Sequence, residues 1–173
     1  MSCALLTRRS LLLAGASLLG GCGFHPLLAP GGRGSAAAGE QLRSVFVPVM
    51  PERSGQLFRE ALQARLQGTD ASVVKRYELN APLILNVEGL GIQSDTSTSR
   101  FRVTGATSWT LFDLTPQHAV VASGYARLLD GYDNINEQYL STQFESEAAT
   151  RRIAENLAQQ VVQQIATYFD RTA

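Results

Sequence analysis

The sequence is poor in cysteine, and the positions of its two cysteines limit what they can do. Cys3 and Cys22 are the only cysteines among the 173 residues. Cys3 lies in a segment with the features of an export signal, which is removed on maturation. No disulfide can therefore form within the mature chain, although that chain enters an oxidising compartment. With two histidines and no usable thiol, the chain also has too few good ligands for a zinc site, so we expect no metal.

The chain has no excess charge of either sign. Its 15 basic and 15 acidic groups cancel, whereas a nucleic-acid-binding domain shows a clear basic excess, so nucleic acid is not an expected partner.

Sets of catalytic residues are missing as well. His25 and His118 belong to no motif with a nucleophile, Asp130 and Asp133 resemble a loop pair rather than an acid–base dyad, and the glycines form no phosphate loop. We therefore expect a protein that is not an enzyme and needs no cofactor.

Long hydrophobic runs are absent too. The apolar run at residues 11–19 would form a helix of about 14 Å, which is too short for a hydrocarbon core of about 30 Å. Arg8 and Arg9 precede this run and small residues follow it, which is the order of an export signal. Ordinary secretion and twin-arginine export both fit "TRRSLL". The segment 1–21 is thus predicted to be a signal peptide rather than a membrane span.

A single cysteine directly after an export signal is typical of a site of lipid attachment. The sequence "LGGC", ending at Cys22, resembles the bacterial lipobox, in which small residues let the backbone enter a peptidase and the thiol takes the lipid. We expect Cys22 to carry a diacylglycerol and an acyl chain such as palmitate. Because each buried methylene contributes about 0.8 kcal/mol, these chains anchor the protein to a membrane effectively permanently. A soluble secreted protein with a leftover thiol is the alternative. Gly23, where an aspartate would stand in other lipoproteins, favours the outer membrane.

The mature chain divides into a tether and one domain. Residues 22–41 include "APGGRGSAAAG", which is rich in small residues and has no apolar period, so we expect a lipid-anchored N-terminus and a flexible tether there. Residues 42–173 are long enough for a single α+β domain. Removal of residues 1–21 takes away Arg8 and Arg9 and leaves 13 basic and 15 acidic groups.

Hydrophobic periodicity within the domain predicts four strands and two helices. Alternating apolar residues indicate strands, and an apolar stripe every three to four residues indicates helices. The predicted strands cover 43–51, 82–92, 99–114 and 119–129, and the predicted helices cover 54–67 and 144–169. Gly89 and Gly91 predict a bulge in the second strand, and long strands joined by short turns favour an antiparallel meander. We therefore expect a β-α-β-β-β-α order, with a four-stranded, mostly antiparallel sheet and both helices packed on one face.

One polar segment stands out at the predicted tip between the second and third strands. "QSDTSTSRFR", residues 93–102, is rich in hydroxyls and ends in Arg100 and Arg102 on the same strand face. Two arginines at a hairpin end can grip an anionic headgroup through bidentate hydrogen bonds. Ordinary surface arginines beside a solvated loop are the alternative.

Three motifs together resemble the LPS-assembly lipoprotein family LptE, in its alphaproteobacterial form. "LGGCGFHPL", residues 19–27, is similar to the family's Cys-Gly-Phe-x-Pro-Leu start. "VFVPVMPERSGQLFREALQARL", residues 45–66, is similar to its first strand, Arg-x-Gly turn and first helix. "GYDNINEQYLSTQFESEAATRRIAENLAQQV", residues 131–161, is similar to its Tyr-Asp loop and the start of its last helix. The order and spacing of the three motifs carry the resemblance. His25, within the first motif, has no assigned role.

The resemblance implies a function without catalysis. Members of the family are α+β lipoproteins that plug the lumen of the LptD β-barrel in the outer membrane, help lipopolysaccharide (LPS) reach the outer leaflet, and can bind it. It also implies that Arg100 and Arg102 lie where LPS is contacted, since basic residues near that tip are linked to LPS in the family. We thus expect an LptD-like barrel and LPS as partners, and a position on the periplasmic side of the outer membrane. The alternative is an accessory lipoprotein of another lipid-transport or envelope-assembly complex.

Overall fold

The computed structural model describes residues 33–66, 72–92, 98–133 and 139–172. Three helices and five strands lie within these ranges. In chain order they are α1 (Arg33–Arg43), β1 (Val45–Phe46), α2 (Arg53–Leu66), β2 (Tyr77–Asn80), β3 (Ile84–Ile92), β4 (Thr98–Asp113), β5 (Val120–Asp133) and α3 (Tyr139–Thr172). No described helix is long and apolar enough to cross a bilayer.

The strands form one mixed sheet, which confirms the predicted α+β class. β4 lies at its centre, with β5 antiparallel to one edge, and with β2 and β3 antiparallel to successive parts of the other edge. β2 also pairs in parallel with β1, the one parallel pair among the described strands. β2 is absent from the predicted order because its four residues bury only Leu79 and show no alternation. The predicted meander corresponds to β3, β4 and β5.

The first helix corrects part of the predicted tether. Residues 33–43 form α1, in which Ala38 and Leu42 are buried. Alanine has the highest helix propensity, so an alanine-rich segment forms a helix readily once one side can be buried. Residues 22–32 of the predicted tether, and the predicted signal peptide, lie outside the described residues, so the domain boundaries stay predictions.

The first strand is shorter than predicted. β1 ends at Phe46, and the chain then runs without strand pairing to Met50. Val45 and Val47 are buried as the alternation predicts, but Val49 is 79% exposed and Met50 is buried instead. Pro48 lacks the amide that strand pairing needs, so the chain leaves the sheet there and the alternation breaks.

The central strand separates two environments, as its sequence predicts. On one side of β4, Val103, Trp109 and Leu111 are buried, whereas Arg100 and Arg102 on the other side are exposed. We call these the helix face and the open face of the sheet, since among the described residues the helices lie only on the first. The pairing of β3 with β4 keeps one register from Ile84 to Ile92, so the bulge expected near Gly89 is not present.

The last helix carries much of the core. α3 begins five residues earlier and ends three later than predicted, and at ~1.5 Å per residue it is about 51 Å long. Its predicted apolar stripe is fully buried: Ile153, Leu157, Val161 and Ile165. Each such side chain contributes about 1.5–3 kcal/mol on burial. α3 lies over β5 and β4, and α2 and α1 pack beside it.

Two contacts set how closely α3 approaches the sheet. A Cβ built on Gly105 would lie 2.2 Å from Ile153 Cγ2 and 3.0 Å from Leu157 Cδ1, so only glycine fits there. Further along, the Trp109 indole donates a 2.7 Å hydrogen bond to Gln164 Oε1. The Gln164 amide in turn donates to the carbonyl of Tyr125 at 3.2 Å. Because these bonds link the buried Trp109 indole to α3 and α3 to the backbone of β5, they fix the rotation of the helix as well as its distance.

Candidate headgroup site and its surroundings

Arg100 and Arg102 lie on the open face of β4, near the end where the β3–β4 hairpin turns. Both side chains are exposed and project to the same side of the sheet, as predicted. The segment 93–97 at the tip of this hairpin, including Asp95, lies outside the described residues. The two guanidinium groups are therefore the described part of the candidate site.

Each of the two arginines faces a carboxylate on a neighbouring strand. Arg102 pairs across the sheet with Glu88 of β3, with Nη1 and Oε2 separated by 3.9 Å. Arg100 pairs with Asp133 of β5, with Nε and Oδ1 separated by 3.7 Å. All four side chains are exposed, so each pair contributes only about 0–1 kcal/mol. The four groups, which we call the arginine row, have no net charge together, so the site consists of two neighbouring ion pairs rather than a basic patch.

Gly131 lies next to the side chain of Arg100. It lies opposite Arg102 on β5, and a Cβ built on it would be 3.6 Å from Arg100 Nε and 3.0 Å from the carbonyl oxygen of Phe101. On the helix face behind it, the rings of Phe101 and Tyr132 stack with their centroids 5.2 Å apart. The arginines therefore lie on a part of the sheet that aromatic stacking stabilises, and both long, exposed side chains can reorient toward a ligand.

Asp130 and Asp133 lie in strand β5 rather than in a loop, and they project to opposite faces. Asp133 meets Arg100 on the open face. Asp130 accepts a 2.8 Å hydrogen bond from Arg152 Nε of α3 on the helix face, and this bond raises the pKa of Arg152 above its ordinary value. Because each carboxylate is paired with its own arginine, the two do not form an acid–base dyad.

The remaining predicted residues divide between the described and undescribed parts of the chain. Cys22 and His25 lie outside the described residues. His118 lies in the β4–β5 turn with a φ of 46°, and its ring stacks on Phe112 with centroids 4.7 Å apart. Within the four described ranges, no group of three or more His, Cys, Asp or Glu side chains is placed to hold a metal ion.

Sequence reasoning missed the two carboxylates that face the arginines. Glu88 and Arg102 are equally far from the turn of the β3–β4 hairpin, as antiparallel pairing requires. Counting outward from the β3–β4 turn would have placed Glu88 beside Arg102, whereas placing Asp133 beside Arg100 also needs the register shift between Leu111 and Phe112. The positions of these two carboxylates were therefore predictable from the sequence only once the strand register was known.

Residues 42–165 match the LptE family, described as Lipopolysaccharide-assembly. The chain belongs to the LptE family. The match begins at Leu42 at the end of α1, spans the whole described sheet and ends within α3. No curated protein matches the sequence significantly.

Solved structures share the LptE-family fold seen here. A lipoprotein from Caulobacter crescentus CB15 is 23% identical and superposes with a TM-score of 0.61, covering 78% of this chain and 96% of that one. Lipoprotein B from Nitrosomonas europaea is 14% identical, with a TM-score of 0.54 over 72% of this chain and 81% of that one. The rare lipoprotein B from Shewanella oneidensis is 13% identical, with a TM-score of 0.52 over 71% and 92%. At these identities the likeness concerns the fold.

Proposed function

We propose that this protein is an outer-membrane lipoprotein, anchored through a lipid on Cys22, that plugs and helps assemble an LptD-like β-barrel. In this role it aids the transport of LPS to the outer leaflet from the periplasmic side. It acts by fitting and binding its partners rather than by catalysis. Membership of the LptE family over residues 42–165 is the observation that carries the proposal.

The open face of the sheet supports the plug. On β4 the centre of this face consists of small and hydroxyl side chains, and on β5 it is more varied: Thr104, Ala106, Ser108 and Thr110, opposite Leu129, Arg127, Tyr125 and Ser123. No described helix covers this face. The lumen of a large outer-membrane barrel is polar and hydrated, so the β4 part of this face, with its small and hydroxyl side chains, is suited to lie against it.

The arginine row supports a contact with LPS. Phosphate or carboxylate groups of an anionic headgroup can displace Glu88 and Asp133 from Arg102 and Arg100, because both ion pairs are long and exposed. A guanidinium can then donate two parallel hydrogen bonds to one phosphate. A headgroup that offers several anionic groups to both arginines is therefore favoured over a single anion.

Extraction of the protein's own membranes in mild detergent tests the plug. We expect the full-length lipidated chain to recover a large β-barrel protein in a stoichiometric complex. Recovery of an inner-membrane complex with an ATPase instead would favour an accessory subunit of another lipid transporter. Repeated recovery of the chain without any barrel would contradict the proposal.

A further inference from the structure

The two outer edges of the sheet are protected to very different degrees. The edge strand β5 lies under α3, and Gln164 of that helix hydrogen-bonds the carbonyl of Tyr125. β5 also carries Arg127, Asp130 and Asp133, and charges are a common protection against unwanted pairing. β3 and β1 form the other edge. Among the described residues β3 pairs with β4 alone, and no helix packs along it.

The side chains of β3 are exposed on both faces of the sheet. Ile84 on the open face is 65% exposed, and Val87 on the helix face is 53% exposed. Aliphatic side chains on the helix face are normally covered, as Val103 beside Val87 is. Leu85, also on the helix face, packs against the core, but no described part of the chain buries Ile84 or Val87.

The sequence of β3 has few of the usual features that prevent strand addition. It contains no proline and no lysine, and its one charged residue, Glu88, is paired with Arg102. Residues 84–90 extend for about 23 Å at ~3.3 Å per residue. Alternate N–H and C=O groups along such an edge point away from the sheet and match the backbone of another strand.

We propose that the edge of β3 over residues 84–90 binds an extended segment of the partner barrel protein by strand addition. This assignment rests on the proposed function, since it takes its partner from there. Main-chain hydrogen bonds supply the affinity, and Ile84 and Val87 pack against alternate side chains of the added strand. The added strand would lie next to Glu88 and Arg102, so the docking edge adjoins the arginine row.

Lysine substitutions on the β3 edge and outside the sheet test the assignment in the full-length lipidated protein. We expect Ile84→Lys with Val87→Lys to lower recovery of the barrel about tenfold or more, because two charges would be forced into the new interface. The melting temperature stays close to that of the wild type, since both side chains are exposed. The matched control, Val74→Lys with Leu140→Lys, changes residues outside the sheet that are 77% and 69% exposed and retains wild-type recovery. Wild-type recovery by the β3 variant, or an equal loss in the control, overturns the assignment.

Hydrogen exchange distinguishes strand addition from contact by side chains alone. In the complex with the barrel, the outward-facing amides of residues 84–90 should exchange at least about tenfold more slowly than in the free protein, because they become donors to a neighbouring strand. Unchanged exchange with the barrel bound overturns the assignment.

Crosslinking identifies the occupant of the edge. A photoreactive residue at Asn86 should crosslink to the barrel protein, whereas a crosslink only to a second copy of this chain overturns the assignment. If the wild-type chain recovers no barrel, the proposed function fails and this assignment fails with it. If wild type and the β3 variant bind the barrel equally, only the edge assignment fails.

Discussion

Arg100 and Arg102 are each held by one carboxylate, so an anionic headgroup has to compete with the protein for them. The competition is mild because the pairs span 3.7 and 3.9 Å and remain exposed. The strand alternation was enough to place both arginines on one face, but their opposing charges became visible only through the pairing of β4 with β3 and β5. At the scale of single residues, position was predictable and electrostatic surroundings were not.

Removal of the arginines should weaken LPS binding without destabilising the fold. We expect Arg100→Ala with Arg102→Ala to lower the affinity for LPS vesicles by about tenfold, since hydrogen bonds to charged groups contribute about 1.5–3 kcal/mol before solvent screening. Arg127→Ala, also on the open face, is the control and should bind as the wild type does. Unchanged binding of the double variant would make the pair ordinary surface arginines.

The complementary change should strengthen the same interaction. Glu88→Gln with Asp133→Asn frees both guanidinium groups, and we expect the affinity for LPS vesicles to rise by about two- to tenfold, the range that two exposed ion pairs cover. Titration at low and high salt measures the electrostatic contribution to this affinity, because exposed charges are screened by salt. A loss of affinity would indicate that the carboxylates orient the arginines rather than compete for them.

At the scale of elements, long periodic segments were predictable and short ones were not. β4 and α3 bury one side along their whole length, so their sequences show the period of the structure. Among residues 38–43 of α1, whose side chains the structure describes, Ala38 and Leu42 are buried, and β2 buries only Leu79, which is too little for a pattern to appear. The break in β1 after Phe46 follows from Pro48, which the sequence shows, but its effect on Val49 depends on the tertiary path.

The approach of α3 to β4 provides a prediction at this scale. Gly105→Ala should lower the free energy of unfolding by about 1–3 kcal/mol, because its Cβ would overlap Ile153 and the helix must move away. The measurement is urea unfolding followed by circular dichroism.

A second glycine serves as the matched control. Gly39 lies in α1, and a Cβ added to it would have no atom within 4 Å, so Gly39→Ala should raise the free energy of unfolding by about 0.5–1 kcal/mol through helix propensity. If Gly105→Ala lowers the free energy of unfolding and Gly39→Ala raises it, a general destabilising effect of alanine is excluded as the cause of the loss at Gly105. A Gly105→Ala variant as stable as the wild type would show that α3 is not in close contact with β4.

At the scale of the whole molecule, the fold and family were predictable from motif order, whereas the docking surfaces were not. Whether β3 or β5 is the accessible edge depends on which strand α3 covers, and no periodicity in either strand encodes that. The lipid anchor, by contrast, is a purely local prediction at Cys22.

Anchoring can be tested on intact cells. Cys22→Ala should abolish labelling by a fatty-acid analogue and release the chain from membrane fractions, because no acyl chain remains to bind the bilayer. Cys3→Ala is the control and should keep both the label and the membrane fraction. Labelling that persists in Cys22→Ala would contradict the predicted acylation site.

The hydrogen bond between Trp109 and Gln164 has a practical consequence. Trp109 is the only tryptophan in the chain, and it is buried between the sheet and α3. Its emission therefore reports on a single place: blue-shifted while the helix is docked, and red-shifted when water reaches the indole. Every variant named above can be checked for an intact core by its own intrinsic fluorescence, with no added dye.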